Sequence, residues 1–376
     1  MNILLFGEFS GLFTNIKEAL MSCGHKVFLV SDGNGYKDLP ADFRYDAHKY
    51  NSKGRYKSIL CVLNLWRNKR LLRGYDIVFF QDPSILSRRV WINRPIYDYM
   101  LKHNKKSVLC GAGDTTIESD YWYNTNTKVK HYIQGMYDAC IRRGSVPLLH
   151  NEKLRSWENE LMNRVDAYIP ILYEYAEPFR QYKSFMRTIR IPIPVHTIPF
   201  SPNIVRDKIV FMHGISTRPE AKGTPLILQA FDRLKEKYSQ EAEFVTAKGL
   251  PFKEYMALVG RSNVILDCTN GYSFAMNVLF SLAQGKVVMG ANEPKGNKEL
   301  GIEGVNPVIN LRPDVDQICS QIEYVIHNKN KIEEWGQVSR KYVEDYHNAI
   351  LIGKEYDECF KKLMDDNSGI GDKQIK

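Results

Sequence analysis

Short apolar runs alternate with amphipathic segments along most of the chain, and this alternation predicts strands separated by helices. The first helix is predicted to begin at the capping-box-like residues 15–18 and to end near Gly24. Because strands separated by helices pair in parallel, the pattern predicts an open α/β sheet. In the first half of the chain the predicted strands are residues 2–6, 25–30, 76–80, 107–111 and 167–172.

A proline-rich stretch at residues 191–202 carries no helical pattern, and it suits a crossing between two domains. The alternation restarts after it, which predicts a second α/β domain. Its first predicted helix covers residues 225–237, with Thr224 as N-cap, and a last helix covers 349–364. The predicted strands of this half are residues 208–212, 243–246, 264–268, 287–290 and 308–311, and further helices are predicted near Asp314 and Lys331.

Length and composition agree with two domains. The chain has 376 residues, of which 44% are hydrophobic and 25% charged, as in an ordinary soluble protein. No apolar run approaches the roughly 18 residues that cross a bilayer, and the first residues show no signal-peptide pattern. The seven cysteines are scattered without a CxxC pair. We therefore expect reduced thiols and a cytoplasmic location, with the polar tail 365–376 disordered.

Positive charge is concentrated between Phe43 and Lys106, where fifteen Lys or Arg face four Asp and no Glu. Within it, residues 58–72 form a basic amphipathic pattern that carries Trp66. One interpretation is a surface over residues 55–73 that lies on an anionic membrane at its cytoplasmic face. The alternative is a core-facing helix with a solvated basic side. No nucleic-acid-binding motif is present.

Two basic residues, Arg218 and Lys222, follow the predicted strand 208–212. Ligands of open α/β sheets bind at the carboxyl ends of strands, and a guanidinium and an ammonium at this place could stabilise a diphosphate leaving group. The alternative is a pair of surface charges in a loop. The predicted N-cap Thr224, followed by Pro225, fixes the loop against a helix and favours a functional role.

A second anion site is indicated where Gly271-Tyr272-Ser273-Phe274 opens a helix after the strand 264–268. The alternative is an ordinary helix capped by Ser273. His213 is the only histidine at an expected ligand edge, and no histidine spacing matches a metal site. We interpret Asp314 as an N-cap and not as a metal ligand, and we expect no metal and no cofactor.

The glycine-bearing Gly7-Glu8-Phe9-Ser10-Gly11 turn is neither a dinucleotide fingerprint nor a P-loop. Asp114 and Trp122 follow the predicted strand 107–111. Aromatic faces often stack on sugars, but aromatic loops also simply pack between domains, and both interpretations remain open for Trp122.

Taken together, these segments resemble the GT-B glycosyltransferases, particularly the family 4-like retaining enzymes of bacterial polysaccharide assembly. The motifs that carry the resemblance are the proline-rich crossing, His213-Gly214, Arg218 with Lys222-Gly223, and the helix and strand from Tyr272 through Gly285 to Val288. The resemblance implies two Rossmann-like domains that face each other across a cleft. Residues 1–195 would bind the acceptor and 196–348 the nucleotide-sugar, and the helix 349–364 would cross back.

The resemblance also implies that Arg218 and Lys222 contact the donor diphosphate and that the loop at Gly11 closes over it. In the family, two glutamates eight residues apart hold the donor, but the aligned positions here are Tyr272 and Phe280. Sugar and ribose contacts must therefore come from other residues. The predicted donor-binding set is Gly11, His213, Gly214, Tyr272, Ser273, Phe274, Asn277 and Glu293, with Asp114 and Trp122 on the acceptor side.

The sequence thus predicts a retaining, metal-independent glycosyltransferase that acts on a saccharide or lipid-linked saccharide in cell-surface polysaccharide synthesis. One rival hypothesis is a nucleotide-sugar epimerase, which would need catalytic carboxylates in the cleft and is disfavoured by the missing glutamates. Another is a non-catalytic GT-B relative that assembles with an active transferase at the membrane. The residues Tyr272 and Phe280 keep that second hypothesis open.

Overall fold

The structure is a computed structural model that describes residues 1–33, 38–45, 57–125, 129, 131–144 and 147–366. Most of the predicted tail, residues 367–376, lies outside the described residues, whereas Asp365 ends the last helix. The chain forms two compact units. The first consists of Met1–Glu118, Leu148–Pro194 and Ala349–Lys376, and the second of Ser119–Pro147 and Val195–Asn348.

Strands and helices alternate through the first 194 residues. In chain order they are β1 (Asn2–Phe6), α1 (Leu12–Ser22), β2 (Lys26–Ser31), β3 (Phe43–Arg44), α2 (Lys57–Arg67), β4 (Ile77–Phe80), α3 (Val90–His103), β5 (Lys106–Gly111), α4 (Thr116–Asn124), α5 (Tyr132–Arg142), α6 (Glu152–Arg164), β6 (Ala167–Pro170) and α7 (Tyr173–Ala176).

The same alternation continues from residue 195. The elements are β7 (Ile209–Ile215), α8 (Pro219–Lys222), α9 (Thr224–Leu234), β8 (Ala242–Lys248), α10 (Phe252–Arg261), β9 (Val264–Leu266), α11 (Met276–Ala283), β10 (Val287–Gly290), α12 (Pro294–Glu299), β11 (Ile309–Asn310), α13 (Val315–His327), α14 (Ile332–Tyr346) and α15 (Ala349–Asp365).

Each unit is built on one parallel sheet among the described residues. The first has the strand order β3-β2-β1-β4-β5-β6, and the second has the order β11-β10-β9-β7-β8. All strand pairs are parallel. The central strands are apolar on both faces, as β4 shows with four buried residues, because helices cover both sides of such sheets. The predicted open α/β class is confirmed.

Helix α15 packs in the first unit against α1. The two backbones approach closely at Gly353, since a Cβ there would lie 2.2 Å from the carbonyl oxygen of Ala19. Tyr356 and Phe360 of α15 contact Phe79 of β4, with ring centroids 5.9 and 5.8 Å apart. The last helix therefore completes the core of the first unit.

Residues 119–147 group with the second unit, although the sequence assigns all of 1–195 to one domain. Helix α5 from this segment packs on α8, and the contact is close: a Cβ on Gly135 would lie 2.9 Å from the carbonyl oxygen of Glu220. Arg143 also lies 3.2 Å from the Glu220 carboxylate. A segment from the first half of the sequence thus supports the loop that follows β7.

Two predicted helix starts are corrected by the structure. Helix α1 begins at Leu12, with Gly11 as N-cap, and not at the capping-box-like residues 15–18. Gly223, and not Thr224, is the N-cap of α9, because the side chain of Thr224 bonds His213. Within the described part of the chain, no helix is long and apolar enough to span a bilayer.

Candidate functional site

The carboxyl ends of β7 and β9 bring Lys222 and Asp267 together. Lys222 ends α8, which follows β7, and Asp267 follows β9 directly. The Lys222 ammonium lies 2.6 Å from Oδ1 of Asp267. The turn behind Lys222 requires glycine, since Gly223 has φ 72° and a Cβ there would lie 2.0 Å from Oγ1 of Thr269.

A chain of hydrogen bonds also supports this ion pair. Asn277, in the first turn of α11, donates its Nδ2 to the same Oδ1 of Asp267 at 3.0 Å. The Tyr255 hydroxyl of α10 in turn donates to Oδ1 of Asn277 at 2.8 Å. Gly214 leaves room for that hydroxyl, because a Cβ on Gly214 would lie 3.0 Å from it. Asn277 and Gly214, both predicted to bind the nucleotide-sugar, thus lie around Asp267.

Both members of the pair are charged at neutral pH. Burial lowers the pKa of Lys222, but the attraction and hydrogen bond of Asp267 outweigh it, so the pKa is raised. Burial raises the pKa of Asp267, but Lys222 and the hydrogen bond from Asn277 outweigh it, so that pKa is lowered. The Lys222 side chain remains 31% exposed, so part of it faces solvent.

Arg218 is the N-cap residue of α8 and is exposed. Its guanidinium donates a long hydrogen bond of 3.6 Å to the sulfur of Met136 in α5. Helix α8 is also held from the other side, where Asn270 donates to the carbonyl oxygens of Glu220 and Ala221 at 3.2 and 3.1 Å. The short helix between Arg218 and Lys222 is therefore fixed by elements on both sides.

His213 is fully buried within β7 and holds the sheet to α9. Its Nδ1 lies 2.9 Å from the carbonyl oxygen of Leu266, and its Nε2 lies 2.9 Å from Oγ1 of Thr224. Burial lowers the pKa of this histidine. Because both ring nitrogens bond to protein groups, His213 orients the loop behind β7, and its predicted direct contact with a donor stays a prediction.

The segment before α11 forms a turn, and the helix begins only at Met276. Ala275 is its N-cap, so Ser273 is not the cap, and no side chain among the described residues caps this end of the helix. An anion could bind to such a helix start. The segment is packed closely from behind, since a Cβ on Gly296 of α12 would lie 2.7 Å from the carbonyl oxygen of Tyr272.

Tyr272 and Phe274 are buried and contribute to packing. The Tyr272 ring lies 5.4 Å from Trp122, and Phe274 lies 6.3 Å from Tyr342, measured between ring centroids. Trp122 is itself only 2% exposed and stacks on His131 at 4.6 Å. Tyr272 and Trp122, predicted for the donor and acceptor sides, thus pack together inside the second unit.

Glu293 follows β10 and pairs with Arg312, which follows β11. The guanidinium reaches both carboxylate oxygens, at 2.8 and 3.1 Å, and Asn310 donates to one of them at 2.8 Å. The hydrogen bond from Arg312 lowers the pKa of Glu293. Sequence reasoning missed Arg312, although its position just after a predicted strand could have identified it.

Gly11 and Asp114 lie in the first unit. The amides at the start of α1 are already bonded, because Glu8 accepts from the backbone of Gly11 at 3.0 Å and of Thr14 at 2.7 Å. Burial raises the pKa of Glu8. Asp114 follows β5 near Asp82, whose pKa is also raised by burial. Sequence reasoning missed Glu8 and Asp82, which lie at strand ends.

In the second unit several predicted site residues lie at the carboxyl ends of neighbouring strands. Gly214 lies near the end of β7, and Arg218, Lys222, Asn277 and Glu293 follow β7, β9 and β10. Among the described residues, no group of three or more His, Cys, Asp or Glu could hold a metal ion.

No protein-family model matches the chain, and no curated protein matches its sequence. Solved structures match over nearly the whole chain. Sucrose-phosphate synthase from Thermosynechococcus elongatus has a TM-score of 0.64 at 12% identity, and the match covers 96% of this chain and 99% of that one. HepE from Anabaena, in complex with UDP and glucose, has a TM-score of 0.58 at 14% identity and coverages of 95% and 99%.

A glycosyltransferase from Rickettsia africae is also similar, with a TM-score of 0.56 at 11% identity and coverages of 97% and 99%. At these identities the likeness establishes the fold. The chain has the GT-B fold of two Rossmann-like units, as the sequence predicted.

Proposed function

We propose that this protein is a glycosyltransferase that moves a sugar from a nucleotide-sugar donor to a saccharide or lipid-linked saccharide. The observation that carries the proposal is the carboxyl end of the second sheet, where Arg218 and Lys222 follow β7 and α11 begins after β9. Cationic side chains and helix amides in such a place suit a diphosphate. Structural neighbours of the same fold that contain UDP or UDP-glucose support this class of donor.

In the proposed reaction, the bond between the anomeric carbon and the diphosphate oxygen breaks, and its electron pair leaves with the nucleoside diphosphate. Arg218 and Lys222 stabilise the charge that develops on the leaving phosphate, together with the amides before Asn277. A hydroxyl oxygen of the acceptor bonds to the anomeric carbon, and its proton passes to the departing diphosphate. We propose retention of configuration and no metal requirement, in line with the family that the sequence resembles.

We further propose a role in cell-surface polysaccharide synthesis at the cytoplasmic face of the membrane. TarM, which is similar in fold, has been captured with UDP, α-GlcNAc-glycerol and fondaparinux, which supports a saccharide acceptor. The proposed membrane surface at residues 55–73 includes α2 and the 3-10 turn Lys69–Leu72, and its residues 55–56 lie outside the described residues. There, exposed Leu63 and Leu71 lie among the exposed basic residues Arg67, Lys69 and Arg70.

The membrane proposal is tested by sedimentation with lipid vesicles. Reversing three charges in R67E/K69E/R70E is expected to lower binding to vesicles with 30% anionic lipid by at least about tenfold, because each basic residue near such a surface contributes about 1 kcal/mol. Neutral vesicles and the variant R233E, on the second unit, serve as controls. Equal binding of the triple variant and the wild type would exclude this surface.

The transfer itself is tested by release of nucleoside diphosphate from nucleotide-sugars, with and without saccharide acceptors. Removing the guanidinium in Arg218→Ala is expected to lower kcat/KM with the true nucleotide-sugar by about a hundredfold, because a positive charge that stabilises the leaving phosphate is lost. The control Arg233→Ala removes an exposed arginine that pairs with Asp316 on the same unit. Full turnover in Arg218→Ala would refute the phosphate role.

A non-catalytic GT-B relative remains the second candidate, since Tyr272 and Phe280 stand where the family has glutamates. The two hypotheses differ in what the chain does with a donor that it binds. A catalyst releases nucleoside diphosphate when an acceptor is supplied. A scaffold binds no donor, or binds one without turnover.

A further inference from the structure

The ammonium of Lys222 forms an ion pair within the protein. Its partner, Asp267, is nearly buried and holds it at 2.6 Å. Two donors, Lys222 and Asn277, converge on the same carboxylate oxygen. A lysine ammonium has three N–H groups, and the bond to Asp267 uses one of them.

The position of Asp267 is set by elements on more than one side. It follows β9, Asn277 bonds it from α11, and Tyr255 bonds Asn277 from α10. A carboxylate held in this way restricts the rotation of a long, flexible lysine side chain. The Asp267 carboxylate also places a negative charge beside the region where the diphosphate would bind. Neighbouring charges of the same sign repel each other.

We propose that Asp267 is a positioning residue that aligns Lys222 for the leaving diphosphate and at the same time weakens binding of the nucleoside diphosphate. This inference rests on the proposed function. Asp267 offsets one positive charge of the phosphate site, so the product is held less tightly and leaves sooner. The aligned ammonium points two N–H groups at the phosphate during bond cleavage.

The test is Asp267→Asn, which keeps the shape of the side chain but removes its charge and replaces one acceptor oxygen with an NH2 group. Calorimetric titration with UDP, GDP, ADP, CDP and TDP identifies the nucleotide that binds, and release of that nucleotide from its sugar donor measures turnover. We expect the variant to bind the nucleoside diphosphate about tenfold more tightly, because repulsion is removed. We expect kcat to fall about tenfold, because Lys222 is no longer aligned.

Tighter binding is the informative result, since a merely structural defect would weaken binding. The matched control is Asp232→Asn, which removes an exposed carboxylate 2.7 Å from Lys235 in the same unit and should change neither quantity. Asp267→Glu restores the charge and is expected to return the affinity towards the wild-type value. Circular dichroism checks that each variant is folded.

Unchanged or weaker binding by a folded Asp267→Asn protein overturns the inference, while the proposed function stands as long as the wild type binds and turns over. If Asp267→Asn does not fold, Tyr255→Phe decides, because it removes the support of Asn277 without uncovering a charge. A fall in kcat at constant affinity then supports the inference, and unchanged kcat refutes it. A wild type that binds none of the five nucleotides ends both proposals.

Discussion

His131 is the N-cap of α5 through an imidazole nitrogen. Its Nδ1 accepts a hydrogen bond from the amide of Ile133 at 3.2 Å, and the ring is fully buried against Trp122. Burial lowers the pKa of His131 to about 3. Because a protonated Nδ1 cannot accept that bond, the cap of α5 exists only with neutral histidine.

This cap makes stability depend on pH. The folded pKa of about 3 lies below the ordinary value of about 6.5, so the unfolded chain binds the proton first as the pH falls. The contribution of His131 is complete above pH 6.5 and decreases as the pH falls from there towards 3. We expect a loss of about 1.4 kcal/mol in the free energy of unfolding between pH 7.5 and 5.5.

Urea denaturation of wild type and His131→Asn at the two pH values measures this loss. Asparagine is a good N-cap without a titrating ring, so the variant should lose less stability than the wild type by about that amount. Other groups titrate equally in both proteins and cancel in the comparison. The same pH dependence in the two proteins would show that His131 does not carry the effect.

Single residues were predictable where their chemistry acts locally. Asp314 was predicted as an N-cap, and its carboxylate does accept from the amides of Asp316 and Gln317 at 2.8 and 3.1 Å. Thr224 was predicted as an N-cap from the same local rule, and this was wrong, because Gly223 is the N-cap of α9. Thr224 bonds His213, which is distant in sequence, and such a competing partner is invisible to a local rule.

At the scale of elements, the crossing of α1 and α15 depends on one glycine. A Cβ on Gly353 would lie 2.2 Å from the carbonyl oxygen of Ala19, and the obstacle is backbone that cannot rotate away. We expect Gly353→Ala to lower the free energy of unfolding by about 1–3 kcal/mol, as overpacking does. Chemical denaturation measures it, with exposed Leu351→Ala on the same helix as the control, expected within about 0.5 kcal/mol. If Gly353→Ala changes the free energy of unfolding no more than the control does, the close contact of the two backbones does not require glycine at this position.

The strands were predictable because buried parallel strands are continuous apolar runs. β1 and β10 were predicted to the residue, and β4, β5 and β6 to within two residues at their ends. Helices α5 and α8 were missed. α8 has four residues, too few for a periodic pattern, and α5 contains Gly135 where the backbone of α8 approaches. That approach is a tertiary contact, which periodicity does not encode.

At the scale of the whole molecule, the fold class followed from the alternation of strands and helices, whereas the grouping of segments did not. Residues 119–147 belong with the second unit because α5 packs on α8. The amino-acid composition does not change where the chain passes from one unit to the other and back. The Lys222–Asp267 pair was hidden for a similar reason. Its members are 45 residues apart and meet only because β7 and β9 are neighbours in the sheet.

We propose that the second unit binds a diphosphate through cationic side chains at the carboxyl ends of its strands. The decisive experiment is calorimetric titration of nucleoside diphosphates into wild type, Arg218→Ala, Lys222→Ala and the control Lys237→Ala. We expect the wild type and the control to bind at least one nucleotide, with affinity that falls as salt rises, and each site variant to bind it at least about tenfold more weakly. Equal affinity in all four proteins, or no binding to the wild type, would contradict it.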